Sequence, residues 1–446
     1  MKIKPSVARG FIDLAFDLVD ETTNLVERTH DAVVQRSVRR LAVGESAKEA
    51  AKVATDIQTA ISSGVFASIR AVNRATRFSV NAVANVAEAS SSRASLVTSS
   101  LSSTAGTASW SVDHLRSSVN GFWGDYLSRK GSRLDLGMTL RHQGRDLPVT
   151  AEALESAFTT ATNKICVFVH GLAATEWLWS LSSEEHYGEP NVTFGTRLRA
   201  DLGFTPIYLR YNTGRHISEN GRCLAELLTE LVEVYPVAID EIALVGHSMG
   251  GLVVRSAAHY GSEHEEPWVS HLRHVACIGS PNLGAPLEKA VNLLTGALRN
   301  VAAAGAQVPA ELLDSRSAGV KDLRHGYTVD EEWAGMDPDR VFADSRRDLP
   351  LVGGVGYHFL AATLARDPEH PLGQLLGDLM VRLRSAAGAA VEPARTIRFA
   401  SGAVFPGMSH VDIANHPDVY EALRGMLAGA VRRPRGPADK ELLEQA

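Results

Sequence analysis

Ile242-Ala243-Leu244-Val245 is an unbroken apolar run that ends in Gly246-His247-Ser248-Met249-Gly250-Gly251, and Leu252-Val253-Val254-Arg255-Ser256-Ala257-Ala258 follows. An apolar run without polar alternation suits a strand buried on both faces, and hence a parallel sheet covered by helices. The segment beyond the glycines has helical spacing. Strand, tight turn and helix, in that order, are the setting of a nucleophile elbow. Gly246 and Gly250 leave room for a strained turn that holds the Ser248 hydroxyl above the sheet edge. The turn also aims the Met249 N–H and the helix start at any negative charge formed beside the serine.

Four further segments belong with this one. Upstream, Lys164-Ile165-Cys166-Val167-Phe168-Val169 reads as a second buried strand and closes in His170-Gly171-Leu172. Downstream, Gln374-Leu375-Leu376-Gly377-Asp378-Leu379-Met380-Val381 carries a Gly-Asp pair, and Asp344 and Asp348 are the competing carboxylates. Near the end, Phe405-Pro406-Gly407-Met408-Ser409-His410-Val411-Asp412 runs on through His416-Pro417 into a closing helix. The Gly279-Ser280-Pro281-Asn282-Leu283-Gly284-Ala285-Pro286 segment follows the strand after the elbow.

Together these segments resemble the lipase and esterase branch of the α/β-hydrolase fold, over about residues 136–431. The resemblance implies Ser248 as nucleophile, Asp378 as the acid and His410 as the base, in the chain order this fold uses. It implies an oxyanion hole made by the N–H groups of Leu172 and Met249. Substrate contacts would come from His170, Gly171, Trp177, His247 and Leu283, with Trp177 and Trp179 on a mobile, partly apolar rim. His416, ahead of a proline and so biased to extended backbone, reads as structural. The implied reaction is hydrolysis of a carboxylic, lipid-type acyl ester through an acyl-enzyme, with neither metal nor organic cofactor required. Acyl transfer to an alcohol on the same triad is the variant that sequence cannot separate from hydrolysis.

The alternation of elements supports an α/β class. A hairpin is expected at 136–142 and 145–149, helices at 150–160, 194–202 and 220–235, and strands at 206–211, 271–278, 351–362 and 396–400. A closing helix is expected at 419–431. Residues 287–347 interrupt the alternation where this fold commonly carries a cap or lid. The predicted catalytic domain is therefore 131–446, a mainly parallel sheet covered by helices on both faces, with that insertion.

Residues 1–130 differ. They are rich in Ala, Ser and Val and hold apolar stripes at helical spacing, such as Val53, Ile57, Ile61, Val65, Ile69 and Val72. They contain 16 Lys and Arg against 12 Asp and Glu, a balance of +4 in a chain of net charge −6. Long amphipathic helices rich in small residues can lie on a lipid surface. The region is loosely similar in style to phasins, which coat polyester granules. A plain helical bundle or an oligomerisation element fits the same pattern. These readings place the chain in the cytoplasm, peripheral to a membrane, lipid body or granule. They also leave a coating protein with an inactive hydrolase scaffold as the rival to an enzyme.

Composition narrows the rest. No nucleic-acid footprint stands out in the overall charge. Cys166, Cys223 and Cys277 have no disulfide or metal spacing and read as small apolar residues in a reducing compartment. No apolar run reaches the roughly 18 residues of a membrane span. Asp13, Asp17 and Asp20 interrupt any apolar core a secretory signal would need.

Overall fold

The computed structural model describes residues 101–285, 317–335, 345–365, 377–378 and 380–429. The amphipathic stripes expected in 1–100, most of the 287–347 insertion, Asp344, Gln374, Leu375, Leu376 and Leu379 lie outside them. The chain divides into two compact units, one of residues 1–115 with 289–315, the other of 116–288 with 316–446.

The second unit holds the sheet. Its strands are β1 Met138–His142, β2 Arg145–Leu147, β3 Lys164–Val169, β4 Thr205–Tyr211, β5 Glu241–His247, β6 Leu272–Ile278, β7 Gly356–Thr363 and β8 Ser401–Pro406. Their order is β2-β1-β4-β3-β5-β6-β7-β8. β1 is antiparallel to β2 and to β4, and every pairing from β4 to β8 is parallel. The hairpin turn falls on Gln143 and Gly144 as expected, both with positive φ. Longer helices are α1 Leu101–Arg129, α2 Phe194–Leu202, α3 Ile217–Val234, α4 Met249–Glu263, α5 Ala318–His325 and α6 Pro417–Leu427.

The unbroken apolar runs become central strands, where every residue from Ile165 to Val169 and from Ile242 to Val245 is fully buried. Successive side chains point to opposite faces. One set (Cys166, Phe168, Ala243, Val245, Ala276 and Ile278) meets Phe194 and Leu198 of α2 and Tyr420 and Leu423 of α6. α3 and α4 pack on one another, and α4 lies against β3, β5 and β6.

Two expectations need correcting. The last strand is 401–406, not 396–400, because Ala403, Val404 and Phe405 pair with β7 while Phe399 packs its ring edge-on against Phe359. Trp177 and Trp179 do not form a mobile rim. Trp179 is fully buried against Phe168, and the single turn Glu176–Ser180 that carries both is pinned by ion pairs from Glu176 to Arg141 and Arg210 at 2.9 and 2.6 Å.

The sheet unit also takes in residues 116–129, which the sequence reading placed in the helical region. Arg116 donates to the carbonyls of Arg133, Leu134 and Asp135, and Asn120 donates to Leu134 O and accepts from Leu136 N. Asn212, at the end of β4, donates to Gly124 O. Among the described residues no helix is long and apolar enough to cross a membrane.

Candidate active site

Ser248 sits between β5 and α4 with φ 54° and ψ −122°, a backbone state that costs a non-glycine residue free energy. Its surroundings enforce it. A Cβ on Gly246 would run into the backbone of Gly250, and one on Gly250 into the carbonyls of Val169 and His170. The strand end and the helix start can meet this closely only without side chains. Ser248 N donates to Ile278 O at 2.8 Å, which ties the turn to the end of β6.

His410 lies in the loop after β8. Its Nδ1 is 2.7 Å from Asp378 Oδ2, and both side chains are buried. Its backbone N–H also donates to Asp378 O. Asp378 Oδ1 accepts from Met380 N and Val381 N at 3.0 and 2.8 Å. Burial on its own would raise the Asp378 carboxyl. The charge and hydrogen bond of His410, with the two N–H groups, outweigh burial and hold it below the usual carboxylate range. The carboxylate is thus ionised and fixes the His410 proton on Nδ1, leaving Nε2 as the basic nitrogen. Asp348, by contrast, is exposed.

Two contacts bring this pair to the elbow. Gly279, next after the carbonyl that holds Ser248, faces the His410 ring, with Nδ1 3.4 Å from where a Cβ would stand. His247 sends Nε2 to His410 O at 2.9 Å, and the two rings lie 4.9 Å apart. His247 is buried, and that burial followed by the neighbouring His410 charge pushes its imidazole down to about 3. A neutral ring with Nδ1 unpartnered must carry its proton on Nε2, so it donates to the His410 carbonyl.

On the other side, the backbone of Gly171 passes against the serine: a Cβ there would be 2.9 Å from Ser248 Cβ. Leu172 follows in the same loop. Met249 is the first residue of α4, so its N–H has no intrahelical acceptor. The loop is braced from behind. Tyr211 OH donates to His170 O at 2.9 Å, the His170 and Tyr211 rings stack, and Ala173 N donates to Thr213 Oγ1. Residues of α1 reach the same loop, where Ser117 Oγ donates to Ala174 O.

The structure therefore gathers Ser248, His410, Asp378, Gly171, His247 and Met249 at one end of β5. Three expected substrate contacts take other positions. Trp177 packs against Gly144 of the hairpin turn, three strands away from β5 across β4 and β3. His170 is fully buried behind the loop, with Nδ1 2.9 Å from Gly171 O. Leu283 lies beyond the serine turn, its N–H held by Ser385 Oγ, and lines a neighbouring cavity. His247 as a brace on His410 was not foreseen, although its place inside the Gly-x-Ser-x-Gly motif was. Among the described residues no three His, Cys, Asp or Glu side chains are grouped as metal ligands would be.

Residues 161–345 match the family model described as PGAP1-like alpha/beta domain. That span holds Ser248, Leu172 and Met249, and ends before Asp378 and His410. No curated protein matches the chain. Among solved structures, Bacillus licheniformis lipase BlEst2 in its mature form is 18% identical, covering 58% of this chain and 91% of its own, with a TM-score of 0.36. Legionella pneumophila phospholipase PlaB is 14% identical, with 63% of each chain covered and a TM-score of 0.36. A hyperthermophilic esterase from Pyrobaculum calidifontis is 14% identical over 72% of this chain and 92% of its own, with a TM-score of 0.34. The sheet order, the elbow and the family match give the fold class: this is the α/β-hydrolase fold.

Proposed function

We propose that this chain of the α/β-hydrolase fold hydrolyses carboxylic esters through Ser248. The observation that carries the reading is the Asp378–His410 pair at 2.7 Å, buried and brought to the elbow by His247 and Gly279. His410 Nε2 takes the Ser248 proton as Oγ attacks the ester carbonyl. The negative oxygen that forms is received by the N–H groups of Leu172 and Met249, each such donor being worth about 3–4 kcal/mol in the transition state. His410 returns the proton to the leaving alcohol. Water, activated by the same nitrogen, then releases the acid from the acyl-serine.

An acyl ester of lipid type is the substrate class we favour, on the likeness of the motifs to lipases and esterases. The same reading gives residues 1–130 the task of bringing the enzyme to a lipid or polyester surface, which their +4 balance and small-residue stripes support. The test is turnover of chromogenic esters from short to long acyl chains. Wild type should turn over, and Ser248→Ala should lose at least about 10³-fold in kcat/KM. Inactive wild type across the series, with and without a lipid interface, would refute the reading in favour of a non-enzymatic scaffold.

A further inference from the structure

Beyond the serine turn lies a cavity of about 330 Å³ whose wall includes none of Ser248, Asp378 and His410. Its volume is at the lower end of the range for small-molecule sites. Five arginines line it: Arg255 from α4, Arg346 and Arg347 from the segment before β7, and Arg395 and Arg398 from the segment before β8. The acids on its wall are Glu332 and Asp348. Among the described residues the wall thus carries more arginines than acids, in a chain that is negative by six.

The acids meet only part of this charge. Glu332 is buried, its carboxylate accepts from the backbone N–H groups of Thr328, Val329 and Arg347, and the Arg255 charge acts on it as well. Arg395 has a partner outside the wall, Glu392 at 3.4 Å. Arg255 gives Nη1 to Asn282 Oδ1 at 3.1 Å, a neutral acceptor, while its Nε is buried and has no hydrogen-bond partner. A buried charged donor without an acceptor is costly, and an anion in the cavity would relieve it. Guanidinium groups converging from three separate segments are the recognition chemistry of a phosphate group, which accepts paired N–H donors at each oxygen edge.

We propose that this cavity binds a phosphate group, carried either by a small phosphorylated metabolite or inorganic phosphate, or by a phospholipid headgroup. Arg255 is the inner contact, and Arg347 and Arg398, both exposed at the mouth, are the outer ones. The site is distinct from the serine. Arg255 lies seven residues along α4 from Ser248, about 10 Å of helix, and the two are joined by the segment holding Gly279, Asn282 and Leu283.

The experiment measures binding, so it is independent of turnover. Full-length protein is titrated with inorganic phosphate by calorimetry against chloride at matched ionic strength. In parallel it is sedimented with phosphatidylcholine vesicles with or without phosphatidic acid. Wild type and Ser248→Ala should behave alike. R347Q/R398Q, with both changes at exposed positions, should bind at least about tenfold more weakly, as should Arg255→Gln, each lost charged hydrogen bond being worth about a factor of ten. Arg255→Lys, which keeps the charge but not the fork, should fall between. A loss confined to free phosphate assigns a soluble ligand, and a loss confined to phosphatidic acid vesicles assigns a headgroup. If neither ligand binds wild type, or if R347Q/R398Q and Arg255→Gln bind as wild type does while remaining folded by circular dichroism, the proposal falls.

Discussion

At the scale of single residues, the candidate site is a set of side chains held by others. Asp378 is ionised and fixes one tautomer of His410, so Asp378→Asn should leave the fold intact and lower kcat by about 10⁴-fold. Steady-state kinetics beside an unchanged circular dichroism spectrum would check it. His247 holds the backbone of His410 through one buried hydrogen bond. His247→Phe keeps a ring in place but removes the donor and leaves a carbonyl unpaired, a cost of about 1–3 kcal/mol. Its kcat should drop by roughly 10- to 100-fold with KM nearly unchanged, because the bond it removes is made to the His410 backbone. An unchanged kcat would show that the loop holds His410 without it.

At the scale of elements, strand starts carry a second buried row at the end of the sheet away from the serine. His274 Nδ1 lies 3.1 Å from His358 Nε2, and His358 Nδ1 lies 2.7 Å from Ser401 Oγ. Glu241, paired with Lys164, stands 3.7 Å from His274 Nε2. Burial, then the neighbouring His274, pushes the His358 imidazole down to about 4, and burial lowers His274 as well. Both are neutral in the folded chain, whereas the unfolded chain protonates them near pH 6.5. The stability they lend is therefore complete above pH 6.5 and lost as pH falls towards 4. His358 alone accounts for about 3 kcal/mol of that loss. Thermal denaturation should show a steep fall in Tm between pH 6.5 and 4.5, and a shallower one for His358→Gln.

Elements were legible where one physical signal dominated. The unbroken runs at β3 and β5, the Gln143-Gly144 turn and the strand–glycine–helix elbow were readable because burial on both faces and the glycines admit few alternatives. β8 was misplaced because Ile397 and Phe399 alternate with polar residues as a strand would, while Ser401–Pro406 contains Gly402 and ends in proline, both poor strand formers. Trp177 could be assigned to the loop after β3, but its direction is set by ion pairs of Glu176 with arginines 34 and 35 residues away. The arginine cavity was invisible in sequence, since its members come from positions as far apart as 255, 347 and 398 that only the packed sheet brings together.

At the scale of the whole molecule, the sheet unit begins inside α1 rather than after it. Residues 116–129 are bonded to the strand approach at 133–136, to Asn212 and to the loop after β3 at Ala174. A chain starting at residue 131 should therefore be less stable than one starting at 113, and poorer in kcat because the loop carrying Leu172 loses its brace. Paired melting curves and ester turnover of the two chains would check this. Equal behaviour would return residues 116–129 to the helical region.

Separation along the chain has one more consequence, and it concerns synthesis. His247 and His410 are 163 positions apart, and Asp378 falls between them. During translation the elbow, with its serine, leaves the ribosome long before His410 exists. β8 and α6, which flank that histidine, are the last described elements to be made. On the proposed reading a half-made chain presents a serine with no proton acceptor, and ester chemistry waits until the final strand has joined the sheet.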